Sequence, residues 1–214
     1  MDIHNAGALR ASRSRWQKVA HQALLQRQKA LAVIKRRNKQ LAALKAQAPG
    51  AHRALTWALE QVAHKVGEVP PGSNRGPLVD KWNRAAGVAP GPGAYWCQSF
   101  ADAMCVAGGG PQIPSGYTVA VVEWAKVGRY GLRYIGSSYK VAQPGDWVFF
   151  KFPGVSHDFC DHVGTRLAGS APATVEGNTS PGRGGSQNNG GVVAIHGAER
   201  IPYTVAVVRP PYKR

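Results

Sequence analysis

Acidic residues are scarce in this chain. Eleven Asp and Glu stand against 27 Lys and Arg, a formal net charge of +16 over 214 residues. Long-range attraction is therefore directed at anionic partners. Cysteine is also sparse: three in a chain of this length do not form a disulfide framework. With no Cys-x-x-Cys and no His-x-x-x-His spacing, a zinc site has no sequence support. A bridge between Cys105 and Cys160 stays open, because pairing depends on geometry. No apolar run approaches transmembrane length, and the N-terminus lacks the apolar core of a secretory signal. The length is enough to bury a full core, and composition divides it into two unequal parts: 1–65 and 66–214.

Gly and Pro are missing altogether from Ala11 to Gln47. Apolar residues recur there at Trp16, Ala20, Ala23/Leu24, Leu31, Ile34, Leu41 and Leu44, which predicts a long amphipathic helix with a basic polar face. Met1 to Lys65 holds 13 Lys/Arg and 2 acids, so most of the excess charge lies in this arm. Pro49-Gly50 breaks the helix, and His52 to Lys65 reads as a second one. Arg27, Asn38 and Lys45 interrupt the heptad stripe, which argues against a sustained coiled coil. Three roles compete for the arm: a solvated helix packed on the rest of the chain, an anchor for anionic polymers or lipids, and a nucleic-acid contact. No base-reading motif is present, so nucleic acid ranks last.

The second part carries the chemistry. Ala89-Pro90-Gly91-Pro92-Gly93 leads into Ala94-Tyr95-Trp96-Cys97, after which Phe100, Ala103, Met104 and Ala107 recur at helical spacing until Gly108-Gly109-Gly110-Pro111. Cys97 is thus expected at the first turn of a short helix. Unpaired N–H groups and the positive dipole end favour a thiolate there, and a thiolate is a strong nucleophile. A lone cysteine is more often a small buried apolar residue, so its neighbours must decide. Downstream, Asp161-His162-Val163-Gly164-Thr165 reads as a histidine opening a strand. Ala173-Thr174-Val175-Glu176-Gly177-Asn178-Thr179 reads as a strand-like run ending in a carboxylate and an amide. Cysteine on a helix start, then histidine, then an acid or amide on neighbouring strands is the chain order of papain-like thiol hydrolases. The histidine moves the thiol proton and the third group orients the ring.

Other polar residues have plainer readings. His157 sits in a loop, His196 at a strand end, and Cys105 inside the Cys97 helix. Further strands are expected over Asp146–Phe152, Val163–Leu167, Thr174–Glu176, Val192–Ile195 and Tyr203–Val208, and further helices over Val79–Ala86 and Val119–Lys126. Helices first and strands after imply an α+β arrangement with segregated layers. Ser180 to Gly191 has the composition of a loop bordering the cleft.

The chain resembles the CHAP domain family, cysteine- and histidine-dependent amidohydrolases/peptidases of phage endolysins and bacterial cell-wall hydrolases. The resemblance is carried by Glu68-Val69-Pro70-Pro71-Gly72-Ser73-Asn74, Trp96-Cys97 with Phe100, Gln143-Pro144-Gly145-Asp146-Trp147-Val148-Phe149-Phe150, His162-Val163-Gly164, Val175-Glu176-Gly177-Asn178-Thr179 and Gly190-Gly191-Val192-Val193. It covers about residues 67 to 210. It implies a papain-like α+β domain with an antiparallel sheet packed on helices, preceded here by the basic helical arm. It implies Cys97 as nucleophile and His162 as general base, and leaves open which of Glu176 and Asn178, on one strand face, touches the imidazole. A buried Glu176 would stabilise the thiolate–imidazolium pair and is read as the orienting group, with Asn178 as its support. The Cys97 N–H is the expected oxyanion donor. Trp96 and Asn74 are candidates for substrate contact, although Asn74 reads first as a helix N-cap.

The implied function is hydrolysis of a peptidoglycan amide, at the sugar–stem junction or within a cross-link. The competing reading is a non-catalytic wall-binding or structural phage-particle protein that keeps the fold, and a third is a thiol enzyme acting on other amides. Peptidoglycan is the expected partner, with anionic wall polymers or a membrane surface engaged by the arm. A wall enzyme without an export signal fits a phage product released through a pore or carried in a virion. Some family members hold calcium ahead of the nucleophile, but Arg75 to Tyr95 contains only Asp80. No metal or other cofactor is therefore expected.

Overall fold

The computed structural model describes residues 21–35, 49–155, 158–182, 186 and 189–213. Two units separate, Met1–Ala48 and Pro49–Arg214. In the first, residues 21–35 form helix α1, exposed along its whole described length. The remainder of the predicted long helix, and His157, lie outside the described residues.

The second unit holds α2 (Gly50–Ala63), α3 (Pro77–Ala85), α4 (Cys97–Ala107) and α5 (Thr118–Lys126). Six strands follow: β1 (Arg133–Gly136), β2 (Trp147–Phe150), β3 (His162–Arg166), β4 (Thr174–Thr179), β5 (Val192–His196) and β6 (Thr204–Arg209). They form one antiparallel sheet in the order β1-β6-β2-β3-β4-β5. The α+β class is as the sequence implied, with helices first in the chain and the sheet after them.

Strand β2 lies inside the sheet and shows the alternation that builds two layers. Trp147 and Phe149 join a cluster with Cys97, Ala101, Val121 and Val163, on the helix side. Val148 and Phe150 join Tyr139, Ala142 and Phe152 in another. Successive strand residues point to opposite faces, so a run buried on both sides reads as continuously apolar.

Helix α2 belongs to this unit rather than to the basic arm with which the sequence grouped it. Ala54, Leu55 and Ala58 pack with Trp82, Trp96, Phe100 and Met104. Trp57, Trp82, Trp96 and Phe100 form a chain of ring contacts, their centroids 5.4 to 5.9 Å apart. These rings bind α2 and α3 against α4 and so fix the helix that begins with Cys97.

Two glycines set how closely that helix and the strands meet. A Cβ on Gly177 of β4 would lie 2.6 Å from Cβ of Phe100 and 2.8 Å from Cζ3 of Trp96. One on Gly164 of β3 would lie 2.7 Å from Cγ of Glu176. All three distances are too short for a side chain, so the glycines of His162-Val163-Gly164 and Glu176-Gly177 are packing requirements.

Candidate active site

Cys97 is the first residue of α4, and no side chain caps that end of the helix. Its backbone N–H groups are therefore available to a ligand's oxygen. The residue is 3 % exposed, so a substrate has only a small part of it to approach. His162 opens β3 opposite Phe150 and is fully buried, stacked near the Phe150 ring and tilted against that of Phe152. Glu176, in β4, is likewise fully buried.

The imidazole and the carboxylate meet directly. His162 Nε2 lies 2.9 Å from Glu176 Oε2. With that nitrogen donating to the carboxylate, the opposite nitrogen is the one left to handle another proton. Nδ1 is buried and makes no fully formed hydrogen bond. Cys97 is nevertheless close enough to act on the ring. Burial alone would lower the His162 pKa, but the proximity of Cys97, the hydrogen bond to Glu176 and the charges of both raise it from 6.5 to about 9.

Glu176 is held by more than the histidine. Thr174, two residues earlier on the same strand, donates its hydroxyl to Oε1 at 2.6 Å. Arg200 donates through Nε to Oε1 at 3.2 Å and approaches Oε2 with its terminal nitrogen at 3.0 Å. Burial pushes the Glu176 pKa up, but His162, Arg200 and His196 outweigh this and hold it below the ordinary glutamate value. Arg200 is itself only 2 % exposed, bonds Thr179 Oγ1 at 3.1 Å, and lies over the Phe152 ring. Charge therefore alternates along the row: Arg200 cation, Glu176 anion, His162 cation when protonated, and thiolate when Cys97 has lost its proton. A buried row of this kind is neutral as a whole, which limits the desolvation cost.

No family model, curated protein or solved structure matches the chain. The site therefore stands on its own geometry.

Other expected residues are placed as follows. Asn178 is buried in β4 with φ of 58°, inside a register shift between Glu176 and Thr179. The two-residue alternation that was to put it on the face of Glu176 is broken there. Asn74 is buried with φ of 54°, and the residue capping α3 is Gly76, so the N-cap reading of Asn74 fails. Trp96 has no exposed surface to offer a substrate; its indole N–H donates to Glu68 Oε1 at 3.0 Å. His196 ends β5, bonds Thr179 Oγ1 at 3.0 Å and sits 4.0 Å from Glu176 Oε2. Burial is the main cause holding its pKa below 6.5, so it stays largely neutral at pH 7.

All three cysteines are free and buried. Burial pushes the thiols of Cys105 and Cys160 up to about 12, and each also feels nearby negative charge. These two stay protonated and inert. Among the described residues, no group of three or more His, Cys, Asp and Glu is placed to hold a metal ion.

Sequence reading missed three participants. Thr174 had a usable signal, since a hydroxyl two residues before a strand carboxylate shares its face. Arg200 had none, being 24 positions from Glu176 in a short 3-10 segment, Ala198–Tyr203. Asp102 is the third. It is fully buried one turn past Cys97, and Gln98 Nε2 donates to its Oδ1 at 2.9 Å. Burial chiefly, and the Cys97 charge in addition, raise its pKa well above the usual carboxylate range.

Proposed function

We propose that this chain is a bacterial cell-wall hydrolase that cleaves a peptidoglycan amide with Cys97, His162 and Glu176. The observation that carries the chemistry is the buried 2.9 Å contact between His162 Nε2 and Glu176 Oε2, with Nδ1 left over for the thiol. The peptidoglycan substrate and the papain-like lineage rest on the CHAP-like motifs around these residues.

The arrangement of these side chains suits the following steps. His162 Nδ1 takes the Cys97 proton, and the sulfur attacks the amide carbon while the helix-start N–H groups receive the oxyanion. The C–N bond then breaks, the Nδ1 proton passes to the leaving amine, and an acyl-thioester remains. Water adds to the thioester with its proton going to Nδ1. The C–S bond breaks, the acid leaves, and the thiol is restored. The deciding experiment is mass analysis of purified Gram-positive peptidoglycan digested by the wild type and by Cys97→Ala. New amino groups released by the wild type alone support the reading; no release from several wall types overturns it.

A pH dependence follows with a definite sign. The folded His162 pKa is raised, so the imidazolium's contribution to stability is full below 6.5 and is lost as pH rises through about 9. The competent thiolate–imidazolium pair disappears with the same proton. The kcat/KM of the wild type is expected to fall above a limb near 9. In Glu176→Gln one of the raising interactions is gone and the limb moves to lower pH. An unmoved limb would remove Glu176 from this role.

The arm is proposed as an electrostatic anchor for the anionic wall or membrane. Exposed Leu24, Leu31 and Ile34 on α1, among basic neighbours, suit an interfacial helix. Since α2 is part of the second unit, the informative truncation removes residues 1–48. It should weaken wall association by about tenfold or more at low ionic strength and much less at high salt. Equal loss at both salts sinks the anchor.

A further inference from the structure

A cavity lies between the start of α3 and the start of β5. It measures about 410 Å³ and is lined by Glu68, Lys65, Val69, Pro71, Leu78 and Val192 together with glycine backbone. One wall is a short ladder in which Gly67 bridges Val192, Glu68 N–H donates to the Gly191 carbonyl at 2.8 Å, and Val193 N–H donates to the Val66 carbonyl at 2.9 Å.

The chemistry of this cavity centres on Glu68. The residue is 7 % exposed, and its Oε1 accepts the Trp96 indole N–H at 3.0 Å. Oε2 has no hydrogen-bond partner or ion pair among the described residues. Lys65 contributes to the lining but is exposed and forms no ion pair with it. The neighbouring Gly191 keeps that oxygen uncovered: a Cβ there would stand 3.1 Å from Oε2, and its φ of 82° disfavours any side chain. One oxygen of this largely buried side chain is held by the indole and the other has only solvent to bond, so an arriving ammonium would replace water as its donor. Val69, Pro71, Leu78 and Val192 among the other lining side chains are apolar, as a methylene arm requires.

We propose that this cavity takes a primary ammonium group borne on a short aliphatic arm of the substrate, with Glu68 Oε2 as its acceptor. The proposal deepens the peptidoglycan reading and rests on it for the substrate's origin. Within such a polymer the ammonium belongs to a diamino-acid side chain or to the free α-amine of a bridge peptide. Trp96 connects the cavity to the chemistry, because its indole holds Glu68 and the next residue is the nucleophile. Recognition of the ammonium would thereby set which amide is presented to Cys97.

The Trp96 indole N–H is a reporter of this site. The full chain has six tryptophans, so the ¹⁵N-labelled Cys97→Ala protein gives six indole signals, and Trp96→Phe identifies the relevant one. Nα-acetyl-lysine methylamide and glycinamide are titrated separately, distinguishing a side-chain ammonium from an α-ammonium, with Nα,Nε-diacetyl-lysine methylamide as the neutral control. The expected result is a saturable Trp96 shift with one of the amines, at least about tenfold weaker with the neutral control and in a Glu68→Gln background. The Gln side chain still accepts the indole bond through its amide oxygen, so folding is retained. No Trp96 shift with either amine, an equal shift with the diacetyl compound, or an unchanged titration in Glu68→Gln overturns the proposal. If the amine binds but the wild type cuts no wall, the peptidoglycan reading falls and the ammonium site stands. If walls are cut while Trp96 ignores both amines, the ammonium site falls alone.

Discussion

Replacing Cys97 with Ala is expected to lower amide hydrolysis by about 10⁴-fold or more while leaving wall association in place. The size of the effect follows from covalent catalysis. With the sulfur gone, the oxyanion donors and the binding surface remain but no acyl intermediate forms. Cys97→Ser keeps the shape and is expected to fail nearly as completely, because the hydroxyl is far less nucleophilic than a thiolate. Folding should survive either change, since only one atom is removed or exchanged in a cluster shared with Ala101, Val121 and Val163. The control is internal. Cys105→Ala and Cys160→Ala remove thiols that burial keeps protonated, with pKa values pushed up to about 12. Both should retain wall hydrolysis, losing only core packing. Release of new amino groups at a wild-type rate by Cys97→Ala would show that the nucleophile is elsewhere or that the wall is not the substrate.

What made Cys97 legible was punctuation. A Pro/Gly run, two aromatics and then helical spacing marked a helix start, and α4 begins at that residue. His162 was found by the same logic, a polar residue at the mouth of an apolar strand. Glu176 was found too, and its strand was read as reaching Asn178. It continues to Thr179 through Gly177 and Asn178, residues that ordinarily end strands, because a register shift absorbs the left-handed Asn178. Strand β1 gave little signal: Arg133-Tyr134-Ile135-Gly136 is four residues long, half exposed, and sits at the sheet edge. The assignment of α2 failed for a different reason. An amphipathic pattern says that a helix has an apolar face, not which surface covers it, and the covering rings of Trp82, Trp96 and Phe100 are distant in sequence. Glu68 illustrates the same limit, since its indole partner is 28 residues away.

Arg200 is where sequence was silent and where a stability measurement is most telling. Arg200→Met is expected to destabilise the protein by about 3 kcal/mol, at the low end for breaking a buried ion pair, because His162 still faces the orphaned Glu176. For a unit of this length that is a fall in Tm of about 6–12 °C. A lysine should not restore it. The guanidinium meets both carboxylate oxygens and also Thr179 Oγ1, and one ammonium on a flexible stem does not reproduce that fork. The pH dependence has a determined sign. Glu176 has a lowered folded pKa, so its contribution is present above the ordinary value of 4.5 and is lost as pH falls through the depressed one. Without Arg200 the depression is smaller, and the acid loss of stability begins at higher pH. Thermal unfolding of both proteins across the acid range measures the two effects together. An unchanged Tm at neutral pH would mean that Glu176 is oriented by His162 and Thr174 alone. The alternating row would then end at the carboxylate, and Arg200 would be a neighbour of the site rather than the positioning residue for it.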